Sequence, residues 1–271
     1  MKTNNWLKIG VLVVSFVLVV VMVFTAKQFE NKRKVNHPNI LVHVDGEDAL
    51  LNEQELQQRL LERKVYRVNM PFSQLNLLQV ENAIKRMEEV KDARVFKKIG
   101  GHWFIEVWLR KPIARIFKKD GTSCYLDSDG AVISVSSLHT ARVLVFNGEI
   151  DEPLKGIKMD EIINNDSLKN IRKIDDFYRI SNYVCNDPML KPLIGQAYLD
   201  QYGDFVLIPL VGEQKIIFGF ASSNQQVEDK FRRLKIFYEE GMPFEGWQKY
   251  SEINLKYDGQ IVGRKRHIEQ Q

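Results

Sequence analysis

Few side chains in this 271-residue sequence are spaced for covalent or metal chemistry. There are two cysteines, Cys124 and Cys185, neither in a CxxC pair, and five scattered histidines, His37, His43, His102, His139 and His267. A structural zinc site needs four clustered ligands, so neither a metal site nor a cofactor is expected. If most of the chain lies outside the cytoplasm, one disulfide between the cysteines is an open reading; their spacing favours two unpaired thiols. Nucleophilic catalysis needs a nucleophile, a base and an orienting group. No GxSxG, HExxH or P-loop occurs, and Ser136, Ser137 and His139 crowd one segment too closely to form an arranged triad.

Recognition is the chemistry that remains. The closing stretch YSEINLKYDGQIVGRKRH, from Tyr250 to His267, alternates Ile253, Leu255 and Tyr257 with Asn254 and Lys256, the pattern of a half-buried strand. An edge strand there exposes N–H and C=O groups that a partner strand can satisfy. Tyr257 reads as an interface anchor or as a core residue. Asp258-Gly259 reads as a type I′ hairpin turn or as a bulge. The basic run Arg264, Lys265, Arg266 reads as a steering patch for an acidic partner or as a solvated tail.

Elements that would carry this strand follow from composition and periodicity. Hydrophobic content of 44% and charged content of 27% suit a folded protein, and the length allows two domains. The net charge is +4, and Lys2 and Lys8 precede the first apolar run, leaving about +2 for the rest. That is too little for a general nucleic-acid binder, and no small-molecule substrate is indicated.

Residues 9–26, IGVLVVSFVLVVVMVFTA, carry no charge and are long enough to span a bilayer as a helix. Trp6 and Lys8 before it, with Lys27 and Phe29 after it, suit the interfacial belts. A cleaved signal peptide is disfavoured by the long apolar run and by Phe24 at position −3 of the only obvious cut, so an uncleaved anchor is expected. Lys27, Lys32, Arg33 and Lys34 follow the span, and that charge count alone would keep the large C-terminal part in the cytoplasm. The cluster at 32–34 also suits lipid head groups.

Residues 27–39 read as a polar linker. Strand residues Ile40, Val42 and Val44 come next, then Asn52 with Glu55 in capping-box spacing before Leu56 and Leu60. Ser73 is a second candidate cap, ahead of the stripe Leu77, Val80, Ile84, Met87. Val90 to Ile99, Gly100-Gly101 and His102 to Lys111 read as a hairpin with Trp103, Ile105, Val107 and Leu109 on one face. Trp108, on the other face, reads as a ligand platform or as cross-strand packing. The order β-α-α-β-β over 40–111, directly after an anchor, resembles a POTRA domain, a fold that by resemblance binds polypeptides.

Pro112 marks a boundary, and the rest is mostly β. Strands are expected around Cys124–Leu126, Val132–Val135 and Arg142–Phe146, then a helix from Ser167 to Val184 with Leu168, Ile171, Ile174 and Tyr178 on one face. Three strands within 194–220 form a meander. A last helix, capped by Asn224 or a preceding Ser, carries the stripe Val227, Phe231, Leu234, Tyr238 and ends at Gly241 and Pro243.

Five segments carry a specific resemblance: RKPIARI at 110–116, CYLDSDGAV at 124–132, FVLIPLVGEQKIIFG at 205–219, FRRLKIFYEEGMP at 231–243 and INLKYDGQIVGRK at the end. In their order and spacing they resemble the FtsQ/DivIB family of bacterial cell division proteins, over nearly the whole chain. The resemblance implies an α+β fold: a cytoplasmic tail at 1–8, a single transmembrane helix at 9–26 and a linker at 27–39. A POTRA domain at 40–111, a mostly antiparallel β-domain with flanking helices at 112–267 and a tail at 268–271 would follow. It also implies a non-enzymatic inner-membrane scaffold with its C-terminal part in the periplasm at the division septum. Such a scaffold links early and late division proteins and recruits the FtsB–FtsL pair by strand addition at its last strand. The implied partner-binding residues are Lys256, Tyr257, Asp258, Gly259, Gln260, Ile261, Val262 and Arg264. Arg264 departs from the family pattern, which has a Trp there. The alternatives are a membrane-anchored POTRA protein of polypeptide assembly or transport, and a membrane-tethered hydrolase.

Overall fold

The computed structural model describes residues 3–31, 33–46, 48–98, 102–135, 140–151 and 173–266. Helix α1 runs from Thr3 to Asn31, and its window Lys8–Thr25 has a mean hydropathy of 2.6 with none of it buried in the protein. The helix passes beyond residue 26 because no Gly or Pro interrupts it before Pro38. The chain divides into two compact units, Met1–His43 with Leu51–Leu109, and Val44–Leu50 with Arg110–Gln271.

In the first unit the expected order is present: β1 (Asn39–His43), α2 (Glu53–Glu62), α3 (Leu77–Lys85), β2 (Val90–Lys98) and β3 (His102–Leu109). The sheet order is β1-β3-β2, with β1 parallel and β2 antiparallel to β3. Asn52 caps α2 by accepting the Glu55 N–H at 2.8 Å. Ser73 is not the cap of α3. It lies in a 3-10 turn at Phe72–Gln74, and Asn76 caps the helix by accepting from the Gln79 N–H at 3.0 Å. Asn and Ser compete for this role on nearly equal terms, so the helix start chooses whichever lies three residues before the acceptor-seeking N–H. Leu56, Leu60, Val80 and Ile84 bury the inward faces of the two helices, and Trp103, Ile105, Val107 and Leu109 bury one face of β3. The Trp103 indole donates to the Asn36 carbonyl at 2.8 Å, and Val35 pairs with Met70 and Asn69. Part of the expected linker is therefore built into this unit. Trp108 stacks on His43 at 4.9 Å with the Arg94 guanidinium 5.2 Å from its ring, so it is packed across strands. The Gly100-Gly101 turn lies outside the described residues.

The second unit is built on a nine-stranded sheet ordered β12-β11-β10-β9-β8-β7-β4-β5-β6. Its strands are β4 (Pro112–Phe117), β5 (Ser123–Asp127), β6 (Val132–Ser134), β7 (Leu144–Gly148), β8 (Ile194–Leu199), β9 (Phe205–Pro209), β10 (Lys215–Gly219), β11 (Tyr250–Asn254) and β12 (Val262–Lys265). Most neighbours are antiparallel, but β4–β7, β7–β8 and β10–β11 are parallel. A parallel neighbour requires a crossover. Between β10 and β11 that crossover is helix α6 (Asn224–Ile236), preceded in the chain by α4 (Ile174–Asn186) and the single turn α5 (Leu190–Leu193). Phe177, Ile180 and Val184 of α4 and Val227, Phe231 and Leu234 of α6 join Phe146, Phe205, Phe218 and Ile253 of the sheet in one core. Of the helix expected from Ser167, the segment through 172, with Leu168 and Ile171, lies outside the described residues, as do Ser136, Ser137 and His139.

Ser223 caps α6, accepting the Gln226 N–H at 3.2 Å. The helical path does not stop at Gly241 and Pro243. It passes through a π turn at Phe237–Gly241 into α7 (Met242–Glu245) and ends at Gly246, whose φ is +89°. Pro243 occupies the first turn of α7, where a missing N–H costs nothing, which is why the path survives it. The RKP and LDSDG segments form one device: buried Asp127 accepts N–H bonds from Asp129 and Ala131 and pairs with Arg110 at 2.7 Å. Cys124 is buried in β5 and Cys185 is half-buried in α4; no disulfide bond links them.

Candidate partner-binding site

β11 begins four residues after Gly246 and inserts beside β10 in parallel register, Ile216 opposite Ile253. Burial of Ile253 and Leu255 fixes this register, because a one-residue slip would turn both to solvent. The alternation stops there. The Lys256 N–H turns back to the Asn254 side-chain oxygen at 3.0 Å, an Asx turn that ends the ladder. Tyr257 is thus not the third residue of a buried face; it lies outside β11 and is 52% exposed.

Residues 255–261 connect β11 to β12, which returns antiparallel with Asn254 opposite Val262 and Glu252 opposite Arg264. Asp258 and Gly259 sit inside this longer connection, with Gly259 at φ +70°, so they form neither a two-residue I′ turn nor a bulge within one strand. All of β12 is exposed, and β11 is its sole neighbour in the sheet among the described residues.

Each expected site residue has a distinct placement. The Lys256 ammonium pairs with Asp204 in the β8–β9 turn, and its methylenes lie over Gly219, where a Cβ would sit 2.8 Å from Cγ. The hydrogen bond to Asp204 raises the Lys256 pKa. Asp258, Gly259 and Gln260 are exposed, whereas Ile261 turns inward and packs against the core. Ile261, Gly259 and Gln260 form one wall of a shallow groove of about 390 Å³, whose other wall is Arg233, Ile236, Phe237, Glu240 and Gly241. Arg264 reaches the Glu252 carboxylate at 3.5 Å. Exposed pairs of this kind contribute at most about 1 kcal/mol. The aromatic at this edge comes from β11: the Tyr250 ring lies 2.6 Å from where a Gly263 Cβ would be, and packs edge-on to Phe237 at 5.7 Å.

Two residues of α6 that the sequence pattern did not single out hold neighbouring backbone, Arg233 the β11–β12 connection and Lys230 the end of β10. The Arg233 guanidinium donates to the carbonyls of Leu255 at 3.3 Å, Tyr257 at 2.6 Å and Gln260. Lys230, 2% exposed, donates to the carbonyls of Phe218 at 2.8 Å and Phe220 at 2.7 Å. Burial lowers its pKa to about 8, and the Arg233 charge adds to that shift. One signal was available: Lys230 lies three residues after Val227 and four before Leu234, on the apolar stripe, where an unpaired ammonium cannot remain. Nothing comparable marked Arg233.

No nucleophile–base–orienter set converges at this edge among the described residues. Among the described residues no group of three or more His, Cys, Asp or Glu side chains is placed to hold a metal ion. What the geometry of the described residues offers is a sheet edge with no further strand beside it, a groove next to it and an exposed aromatic.

Comparison with known proteins agrees with the division into two units. A POTRA-like domain matches residues 37–108. The FtsQ/DivIB C-terminal-related domain matches residues 111–264, more than half of the chain, and that match contains all of the candidate residues at the edge. No curated protein matches the chain. With a POTRA-like unit, an apolar N-terminal helix and a matching β-unit that ends in this strand pair, the chain belongs to the FtsQ/DivIB family of non-enzymatic division proteins.

Proposed function

We propose that this protein is a membrane-anchored division scaffold that captures the periplasmic segments of the FtsB–FtsL pair by strand addition to β12. The observation that carries the proposal is the exposed edge of β12 at the end of the nine-stranded sheet. A partner strand laid there gains main-chain hydrogen bonds, and alternate side chains choose the register. In this reading Lys256, Tyr257, Asp258, Gly259, Gln260 and Ile261 meet the partner from the connection before that edge, and Val262 and Arg264 meet it from β12 itself. Tyr257 supplies apolar area and a hydroxyl, the profile of an interface anchor. In this reading the domains are those expected from the sequence, 40–111 and 112–267. The chain is single-pass in the inner membrane through residues 9–26, with its C-terminal part in the periplasm at the division septum.

The test is a titration of the full chain in nanodiscs with the periplasmic FtsB segment. Tyr257→Ala weakens capture at least tenfold, the scale of an aromatic anchor, with unfolding unchanged. Unchanged affinity overturns the proposal. Truncation after Asp258 removes β12 and abolishes septal recruitment of FtsB; normal recruitment counts decisively against strand addition. Cysteines introduced at positions 5 and 265 and labelled with an impermeant thiol reagent in intact cells test the topology. Labelling at 265 alone agrees with it, and labelling at 5 alone inverts it.

A further inference from the structure

We infer that Arg233 is the positioning residue of the partner-binding connection: its guanidinium shapes residues 255–260 so that Tyr257 is presented beside the open edge. This inference rests on the function proposed above. Between the end of β11 at Asn254 and the start of β12 at Val262 the chain has no ladder of its own. The Leu255 N–H bonds to Ile217 and the Lys256 N–H bonds to the Asn254 side chain, which fixes the entry to the connection. Beyond that entry, the carbonyls of Leu255, Tyr257 and Gln260 converge on one cation carried by another element.

The geometry demands a guanidinium. Nη1 serves Tyr257 and Gln260, Nη2 serves Leu255, and Nε donates to the Asp229 carbonyl of its own helix at 3.3 Å. A planar fork can span these acceptors while its stem stays fixed; the single nitrogen of a lysine cannot. Two fixed points then flank the exposed ring. Lys256 is tied to Asp204, and the Tyr257 carbonyl is turned onto Arg233, which leaves the side chain between them facing solvent. The same guanidinium lines the groove opposite Gly259, Gln260 and Ile261, so the groove and the connection share one support. Because the connection is exposed, water can replace the lost bonds when Arg233 is removed. The loss therefore falls on the order of the loop and not on the fold. A partner then has to order the loop on binding, and affinity drops.

The experiment uses the full chain in nanodiscs and the FtsB segment as probe, with Arg233→Gln, Arg233→Lys, Tyr257→Ala and the double variant Arg233→Gln/Tyr257→Ala. Hydrogen exchange followed by mass spectrometry reads the amides of 256–261 without any partner. In Arg233→Gln these amides exchange faster while those of β9 and β10 keep their protection, and affinity for the probe falls about tenfold or more. Arg233→Lys behaves like Arg233→Gln. Tyr257→Ala costs less in the Arg233→Gln background than alone, since the ring is no longer presented. Unchanged exchange at 256–261 overturns the inference whatever the affinity does. Faster exchange with unchanged affinity, while Tyr257→Ala still weakens capture, overturns the positioning role and leaves the proposed function standing. Full rescue by Arg233→Lys overturns the geometric argument. If Tyr257→Ala alone has no effect on capture, the proposed function fails and this inference with it.

Discussion

Replacing Lys230 with Met removes a specific alkaline gain in stability. The wild-type ammonium is buried under α6, donates to the carbonyls of Phe218 and Phe220, and lies 4.9 Å from the Phe218 ring centre. Burial lowers its pKa from 10.5 to about 8, with Arg233 acting in the same direction and Asp258, Asp204 and Asp176 opposing it. The folded pKa lies below the unfolded one, so between about pH 8 and 10.5 the unfolded chain holds a proton that the folded protein has released. Stability contributed by this group therefore rises with pH across that window. From pH 7 to pH 10 the two values give a rise of roughly 2.5 kcal/mol. Methionine keeps the length and apolar stem of lysine, has no titration, and leaves two carbonyls without a donor at a cost of about 1–3 kcal/mol. At pH 7 the loss of those bonds nearly offsets the removed burial penalty; at pH 10 most of that penalty is gone and the loss dominates. Urea unfolding of both proteins in detergent micelles at pH 7, 8, 9 and 10 checks this. The difference between them should widen in favour of wild type by roughly 2–3 kcal/mol. Parallel stability curves would show that the Lys230 ammonium is as well solvated in the folded protein as in water.

Asp127→Ala leaves the half-buried Arg110 guanidinium without its carboxylate and frees the N–H groups of Asp129 and Ala131, so it destabilises the second unit by about 3–5 kcal/mol in urea unfolding. Gly263→Val places side-chain atoms inside the space held by the Tyr250 ring. It raises hydrogen exchange along the β11–β12 pair while leaving the amides of β8 and β9 protected.

Local order was legible where one principle decided it alone. The apolar N-terminal helix needed only length and absence of charge, and the stripes Val80, Ile84 and Val227, Phe231, Leu234 needed only helical period. The β-α-α-β-β order of the first unit followed from the same patterns. Ser73 and Asn76, like Gly241 and Gly246, offer equivalent local chemistry within a few residues, so the local sequence does not separate them. The candidate edge was found in the sequence through alternation and family resemblance, but its shape was not. Tyr257 continues the apolar alternation in sequence, and one Asx turn at Asn254 removes it from the strand.

By itself, the sequence determined which segments could be helix or strand, that the N-terminal helix is apolar over residues 9–26, and that the last strand was a candidate edge. These follow from composition and from periods of two and 3.6, which act over a few neighbouring residues. Tertiary structure decided that β11 lies parallel to β10 with α6 as its crossover, because pairing choice depends on cores assembled from residues far apart in the chain. Arg233 and Lys230 took their roles the same way. A cation on a helix has no visible purpose until the fold turns distant carbonyls toward it, those of Leu255, Tyr257 and Gln260 for the first and of Phe218 and Phe220 for the second.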